Sequence, residues 1–191
     1  MNKEELLELF IKHHALQTGH FLLTSGLHSD RYLQCAQILQ YPPIAAKLCE
    51  QLITKIDLPI DLVVGPAIGG ITLSYEMARQ LKTASLFTER EKGTMTLRRG
   101  FTISPNTQVL VVEDVITTGG SVLETIKVVE KYQGIVKGVA VLVDRSNGQV
   151  DLGYPLYSLL SLEVQSYTPK TCPLCQKGIP LVKPGSRLER Y

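Results

Sequence analysis

The sequence has no tryptophan, and aromatic residues make up only 6% of its 191 residues. It has four cysteines, too few and too unevenly placed for the disulfide framework of a small secreted domain: Cys35, Cys49, Cys172 and Cys175. The formal net charge of +2 argues against a general nucleic-acid binder. No apolar run approaches the roughly 20 residues of a membrane-spanning helix. These absences predict a cytoplasmic protein that binds neither nucleic acids nor membranes.

The remaining composition is that of an ordinary globular domain, with 44% hydrophobic and 20% charged residues. A chain of this length can form one domain with a sizeable core. Helical periodicity covers residues 2–15, 44–56 and 71–81, and short apolar runs at 62–64, 84–87, 109–112 and 136–143 favour buried strands. Alternating strands and helices predict an α/β fold, with a mainly parallel central sheet flanked by helices.

The most informative stretch runs from Val109 to Ser121. Its apolar start predicts a buried strand, and Glu113 and Asp114 follow where open α/β sheets bind their ligands. The next residues, 117–121, read Thr-Thr-Gly-Gly-Ser and lead into a helix, and such a loop suits a phosphate. Because carboxylates accept hydrogen bonds from adjacent sugar hydroxyls, the whole stretch predicts a sugar-phosphate site. The alternative is a strand–turn–helix unit with a Thr or Ser cap and no ligand.

Neither of the common nucleotide-binding loops, Gly-x-x-x-x-Gly-Lys-Ser/Thr or Gly-x-Gly-x-x-Gly, is present. The stretch instead resembles the phosphoribosyl-diphosphate (PRPP) signature of the type I phosphoribosyltransferase family. The resemblance implies that Glu113 and Asp114 are catalytic residues that hold the ribose hydroxyls, and that the loop binds the 5′-phosphate. The implied PRPP-binding residues of this stretch are Glu113, Asp114, Val115, Ile116, Thr117, Thr118, Gly119, Gly120 and Ser121.

A second strand and glycine loop occurs at residues 62–70. Such a loop offers backbone N–H groups to an anion, although Gly-Pro turns are common without one. In the phosphoribosyltransferase family, the matching loop receives the diphosphate of PRPP. The resemblance therefore adds Ala67, Ile68 and Gly69 to the PRPP-binding residues.

Residues 21–34 predict two strands joined at Ser25-Gly26. The polar residues between the apolar arms fit either a solvated hairpin tip or a cover over a ligand. The segment resembles the N-terminal hood of orotate phosphoribosyltransferases, which covers the pyrimidine, and this implies that Ser25 and Tyr32 bind orotate. Where many members carry a lysine before Ser-Gly, this chain has Thr24.

The strand predicted over 136–143 ends in Asp144-Arg145. A parallel crossover places Arg145 on the same sheet edge as Glu113 and Asp114. Its guanidinium either pairs with Asp144 or a surface acid, or binds a planar carboxylate through two hydrogen bonds. In orotate phosphoribosyltransferases, an Asp-Arg at this position contacts orotate together with the first threonine of the phosphate loop. The resemblance therefore implies that Arg145 and Thr117 bind orotate.

Residues 88–100 are charged and punctuated by glycine, which predicts a mobile loop. The loop contains the basic residues Arg90, Lys92, Arg98 and Arg99. It is either a solvated segment balanced by Glu89 and Glu91 or a lid that brings cations to a diphosphate. In orotate phosphoribosyltransferases, this loop reaches into the neighbouring subunit. The resemblance thus implies a homodimer with the lid loop shared across the interface, and catalytic roles for Arg90 and Lys92.

The tail contains Cys172-Pro173-Leu174-Cys175. A single Cys-x-x-Cys is half of a zinc site, and no second pair or nearby histidine is expected to complete it within the chain. A homodimer could supply four thiolates, but reduced, inert cysteines are the favoured interpretation, so no protein metal site is predicted. Proline, glycine and serine at Pro180, Pro184, Gly185 and Ser186 predict irregular structure.

The chain is thus interpreted as a single phosphoribosyltransferase domain with a hood over roughly residues 1–40, a core over roughly 41–165 and an irregular tail over 166–191. The resemblance implies transfer of the phosphoribosyl group from PRPP to orotate in UMP synthesis, with Mg²⁺ neutralising the leaving diphosphate. Two alternatives remain. One is a phosphoribosyltransferase for a purine or another pyrimidine, although those bases lack a carboxylate for Arg145. The other is a regulator that kept the PRPP site and binds RNA or DNA, which should show a basic face or lack the lid residues.

Overall fold

The computed structural model describes residues 1–23 and 25–184. In chain order, its elements are α1 (Lys3–Lys12), β1 (Leu16–Leu22), β2 (His28–Leu33), α2 (Ala36–Leu39), α3 (Pro42–Ile53), β3 (Leu62–Pro66), α4 (Gly69–Leu81), β4 (Ala84–Glu91), β5 (Thr94–Thr96), β6 (Gln108–Ile116), α5 (Gly120–Lys131), β7 (Ile135–Asp144), β8 (Leu156–Ser161), β9 (Ser166–Tyr167) and α6 (Pro173–Gln176). None of the described helices is long and apolar enough to cross a membrane.

The central sheet has six strands in the order β5-β4-β3-β6-β7-β8. Every neighbouring pair is parallel except β4 and β5, which form an antiparallel hairpin at one edge. The predicted α/β class with a mainly parallel sheet is therefore confirmed. Because parallel strands leave the sheet in one direction, the loops after β3, β6 and β7 meet at a single edge.

Two apolar clusters cover the two faces of this sheet, and β6 contributes alternately to both. Leu110 and Val112 pack into the cluster beneath α1, α3 and α4, whereas Val109 and Val111 pack into the cluster beneath α5. Burial on both faces explains the uninterrupted apolar run of this strand. Cys49 is fully buried in the first cluster, as predicted, and all four cysteines are unpaired.

A second, three-stranded sheet forms the hood, in the order β1-β2-β9. Strands β1 and β2 are the predicted hairpin, although β1 begins earlier, at Leu16. The third strand comes from the segment after residue 165, and Ser29 of β2 lies opposite Ser166. Further along, the N–H of Val182 donates to His20 O at 2.8 Å, and Val182 O accepts from Leu22 N at 2.8 Å. The tail thus completes the hood sheet; Thr24, Gly185 and Ser186 lie outside the described residues.

The prediction of a loop over residues 88–100 is wrong for its first part. Strand β4 continues to Glu91 and turns at Lys92 and Gly93, whose φ angles are 49° and 85°. Two central residues with positive φ match the tight hairpin turn that best fits twisted strands. Strand β5 then pairs back along β4, with Met95 buried. Charged side chains are common on an edge hairpin, and here they obscured the strand signal.

Candidate active site

The two carboxylates at the end of β6 face opposite sides of the strand, as successive strand residues do. Glu113 lines a cavity of about 210 Å³ together with the loop at 117–121, and we call it the loop cavity. Asp114 lines a separate cavity of about 350 Å³ that includes Ile68 and Gly69, and we call it the Asp114 cavity. The two consecutive acids therefore border two different spaces, one on each side of the strand, and could contact separate parts of one ligand.

Hydrogen bonds to the backbone hold both carboxylates in place. The Asp114 N–H donates to Glu113 Oε1 at 3.1 Å, and the Val115 N–H donates to Asp114 Oδ1 at 2.8 Å. Burial of Glu113, reinforced by the negative charge of Asp114, raises the pKa of Glu113 to about 9. This shift favours the protonated form of Glu113 in the free protein, and a donor group of a ligand would favour loss of that proton.

The loop cavity is built around the N-terminus of α5. Gly119 caps this helix with a φ of 78°, and a Cβ at this position would lie 2.8 Å from Val150 Cγ2. The first N–H groups of a helix have no partner within it, so they face the cavity as donors to an anion. Arg90 of β4 also lines the cavity and adds a positive charge.

The Asp114 cavity lies against the loop between β3 and α4. Here the Ala67 N–H donates to Thr88 O at 2.7 Å and fixes the loop to β4. A Cβ on Gly69 would lie 2.7 Å from Asp114 Oδ1, so only glycine leaves room for the carboxylate in this position. Ile68 and Gly69 therefore line the cavity with Asp114, Ala67 belongs to the same loop, and Ile68 is 85% exposed.

A larger cavity of about 780 Å³ lies between the hood and the sheet edge, and we call it the hood cavity. It brings together the four residues that were predicted to bind one ligand: Ser25, Tyr32, Thr117 and Arg145. The ring of Tyr32 packs against buried Phe21, with ring centroids 5.6 Å apart. Thr117 and Thr118 line both this cavity and the loop cavity, so the two spaces share a wall.

Arg145 is positioned by the end of β7. Its N–H donates to Ile116 O at 2.8 Å, which continues the β6–β7 pairing and places the side chain beside the loop at 117–121. The neighbouring carboxylate of Asp144 is occupied by the backbone N–H and the hydroxyl of Ser146, each at 2.7 Å. The suggested pairing of Arg145 with Asp144 therefore does not form.

The Arg145 guanidinium is half-buried, and its Nε has no hydrogen-bond partner among the described residues. No carboxylate in the described ranges forms an ion pair with it. Burial lowers the pKa of Arg145, although such a group stays protonated at neutral pH. A half-buried guanidinium whose buried Nε has no partner among the described residues favours binding of an anion from solution.

The basic residues of the β4–β5 segment are separated by the hairpin. Arg90 pairs with Glu124 at 2.7 Å beside the loop cavity, and Lys92 stands exposed at the turn. Arg98 and Arg99 pair with acids of β4, at 3.2 and 3.1 Å from Glu89. The interpretation that the segment's basic residues pair with its own acids thus holds for Arg98 and Arg99. Arg90 instead lies next to the loop cavity.

Sequence reasoning missed several residues of the hood cavity. Ser146, Gln149 and Asp151 follow Arg145 on an exposed turn, and Ser166 comes from the tail. Only Ser146 gave a signal, because it comes directly after Arg145; Gln149, Asp151 and Ser166 gave none. The expectation that no histidine lies near the Cys-x-x-Cys pair is also wrong, because His20 and His28 of the hood lie beside both sulfurs.

Comparison with known proteins places these cavities in context. The model of the phosphoribosyl transferase domain family matches residues 34–170. An orotate phosphoribosyltransferase of Caldicellulosiruptor bescii is 58% identical over 188 residues, which cover 98% of this chain and 99% of that protein. The orotate phosphoribosyltransferase of Desulforamulus reducens is 56% identical, with 98% of each chain covered.

Solved structures agree with this grouping. The crystal structure of orotate phosphoribosyltransferase from Aeropyrum pernix has a TM-score of 0.70 and 27% identity, and covers 83% of this chain and 94% of its own. The Mycobacterium tuberculosis orotate phosphoribosyltransferase in complex with inorganic phosphate has a TM-score of 0.66 and 25% identity, with coverage of 84% and 95%.

Proposed function

The chain belongs to the orotate phosphoribosyltransferase family, and we infer that it transfers the 5-phosphoribosyl group of PRPP to orotate. The products are orotidine 5′-phosphate and diphosphate, in the synthesis of pyrimidine nucleotides. The observation that carries this inference is the hood cavity, in which an unpartnered guanidinium lies beside a phosphate-type loop. Orotate supplies the carboxylate that this guanidinium lacks.

We propose that PRPP spans the loop cavity and the Asp114 cavity. Its 5′-phosphate would bind the loop from Thr117 to Ser121 through hydroxyls and helix N–H groups. Its diphosphate would lie along Ala67, Ile68 and Gly69. The ribose hydroxyls would then donate to Glu113, which lines the loop cavity, and to Asp114, which lines the Asp114 cavity. Val115 and Ile116 would provide the backbone that leads into the loop.

We propose that orotate occupies the hood cavity between Tyr32 and the sheet edge. Arg145 would bind the orotate carboxylate through two charge-assisted hydrogen bonds, and Thr117 and Ser25 would contact the ring from either side. The wall shared by the two cavities at Thr117 and Thr118 brings the base close to the ribose. The protein would thus hold the orotate ring next to the ribose of PRPP without forming a covalent bond to either ligand.

This reaction depends mainly on positioning of the two substrates and on stabilisation of the charge that develops in the transition state. The bond between the ribose and the diphosphate breaks as the orotate ring nitrogen bonds to the anomeric carbon, and the ribose passes through an oxocarbenium-like state. The proton of that ring nitrogen leaves with the diphosphate. Carboxylates at Glu113 and Asp114 would stabilise this cation and fix the ring. Arg90, which lines the loop cavity, would neutralise charge on PRPP next to its 5′-phosphate, and Lys92 would neutralise the departing diphosphate.

We propose that Mg²⁺ accompanies PRPP. The donor set fits this ion, because Asp114 lies against the diphosphate loop and Mg²⁺ binds one or two carboxylates together with substrate phosphates. Asp114 and, through the ribose, Glu113 would be the residues nearest to it. When bound, the ion supplies positive charge to the diphosphate.

We also propose a cytoplasmic homodimer in which the β4–β5 hairpin reaches the partner's site. The exposed turn at Lys92 and the exposed apolar side chain of Tyr75, 66% exposed, support an interface. Four unpaired cysteines suit a reducing compartment.

Mixing inactive Lys92→Ala dimers with inactive Asp114→Asn dimers tests whether the site is shared. If the hairpin acts across the interface, about a quarter of wild-type activity should return, because half of the sites in the mixed dimers are intact. If the hairpin acts within its own chain, no activity should return.

The activity is tested by following the ultraviolet absorbance of orotate after mixing protein, PRPP and Mg²⁺. We expect the orotate band to disappear, and we expect this loss to stop without Mg²⁺ and in the Asp114→Asn variant. Diphosphate release with a purine or another pyrimidine, but not with orotate, would retain the PRPP site and refute the assignment of the base. Inactivity with every base would point to the regulatory alternative.

A further inference from the structure

Four side chains that the proposed reaction does not use converge at one corner of the hood. They are His20 of β1, His28 of β2, and Cys172 and Cys175 of the tail. Each contributes one atom, and the four atoms all lie within 4.8 Å of one another. His20, His28 and Cys172 are buried, and Cys175 is exposed. Two nitrogens and two sulfurs at such distances form the donor set of a tetrahedral metal site.

The measured separations match those of a bound zinc ion. Zn–N distances of about 2.0–2.1 Å and a Zn–S distance of about 2.3 Å, at tetrahedral angles, place two nitrogens about 3.3 Å apart and nitrogen and sulfur about 3.6 Å apart. His20 Nε2 lies 3.0 Å from His28 Nδ1 and 3.5 Å from Cys172 Sγ. Cys175 Sγ lies 3.6 Å from His20 Nε2 and 3.3 Å from His28 Nδ1.

The surroundings of His20 fix its ring in the form that a metal needs. His20 Nδ1 lies 2.7 Å from Ile179 O, and a carbonyl oxygen only accepts, so Nδ1 carries the hydrogen. In a neutral ring, Nε2 then presents its lone pair to the other three donor atoms. A second ring N–H bonded to a backbone carbonyl is the usual support of a metal-binding histidine.

We propose that His20, His28, Cys172 and Cys175 bind a structural Zn²⁺ ion that fastens the tail to the hood. Binding releases the two thiol protons to solvent, and the four protein ligands leave no open position for catalysis. The tail already pairs with the hood through β9 and through Val182. Cys172, the N-cap of α6, lies between these two pairings along the chain, so the ion would reinforce the same connection.

The site lies outside the hood cavity but next to it. Leu27, which precedes His28, and Ser166, which pairs with β2, both line that cavity. The ion would therefore hold the hood in position over the base. This consequence for orotate rests on the proposed function, whereas the metal site does not.

Metal content of the full chain tests the proposal directly. Protein purified without chelators and dialysed against metal-free buffer should contain about one zinc per chain by mass spectrometry. After removal of the metal, Co²⁺ serves as the probe, and the spectrum should show thiolate charge-transfer and tetrahedral d–d bands that saturate at one equivalent. Absence of these bands in the refolded wild-type protein would refute the site and favour a hydrogen-bonded cluster.

Variants separate this site from adventitious binding. Cys175→Ser and His28→Asn should lose the cobalt thiolate bands or shift them, whereas Cys49→Ala and His14→Asn should keep full occupancy. Cys175→Ser is the most informative, because the exposed position tolerates serine and the variant can still be checked for native circular dichroism. Full zinc retention by Cys175→Ser, or a Cys172–Cys175 disulfide found by mass in freshly purified protein, would overturn the proposal. The outcome is independent of activity, so it stands whether or not orotate is the substrate.

Discussion

Arg145→Ala should weaken orotate binding far more than PRPP binding. Arg145 lines the hood cavity and not the loop cavity, and its Nε has no partner among the described residues. In the proposed complex, the substitution removes two hydrogen bonds to a charged group and leaves a carboxylate in a partly buried space. The loss should therefore fall on orotate alone.

The expected magnitude follows from the number and kind of bonds. A hydrogen bond to a charged group contributes about 1.5–3 kcal/mol, so the loss of two costs about 3–6 kcal/mol. That corresponds to a rise of roughly 10²–10⁴-fold in the KM for orotate. Arg145→Lys keeps the charge but not the planar pair of donors, and should fall between wild type and Arg145→Ala.

The assay combines initial rates from orotate absorbance with calorimetric titration of PRPP. At saturating PRPP, the KM for orotate should rise, while the Kd for PRPP should stay within about twofold of wild type. Arg79→Ala is a matched control, because Arg79 is a surface arginine of α4 that pairs with Glu76. Equal losses for orotate and PRPP would refute the assignment of Arg145 to the base.

Three further predictions concern the PRPP site. Gly69→Ala places a Cβ 2.7 Å from Asp114 Oδ1 and should lower kcat/KM for PRPP about tenfold, with little change in Tm; an unchanged value would show that the carboxylate can move at no cost. Because the pKa of Glu113 is raised to about 9 and ribose hydroxyls favour its ionised form, PRPP binding at pH 7 should release up to about one proton per site. Calorimetry in buffers of different ionisation enthalpy measures this release, which should fall in Glu113→Gln and vanish above pH 9; equal release by the variant would contradict it. Glu124→Gln removes an exposed ion pair worth about 0–1 kcal/mol and should tighten PRPP binding by freeing Arg90 beside the 5′-phosphate loop, whereas weaker binding would mean that Glu124 holds Arg90 in its working position.

Much of the centre of the molecule could be predicted from local sequence. The strand, the two carboxylates and the phosphate-type loop follow one another between Val109 and Ser121, so their order along the chain is also their order in space. Arg145 required one more step, the rule that a strand–helix–strand crossover is parallel and right-handed. That rule placed it correctly at the same sheet edge.

The errors arose where a contact joins distant parts of the chain or where charge obscured a strand. Cys172 and His20 are 152 positions apart, and no spacing rule links them before the tail is known to pair with the hood. In the second half of β4, the consecutive charged residues 89–91 hid the continuation of the strand into a hairpin with the edge strand β5, where Met95 is buried. Roles of individual site residues remain predictions, since geometry shows proximity and not contact with a ligand.

The hood sheet has a consequence for the order in which the protein matures during synthesis. The sheet edge with Glu113, Asp114 and the loop at 117–121 is complete once residues up to 144 have emerged. The hood, by contrast, joins residues 16–33 to residues 166–182, so its hairpin must wait for a segment that follows far along the chain. A ribosome-bound intermediate would then expose the apolar side of this hairpin until residues 166–182 emerge and close the base site.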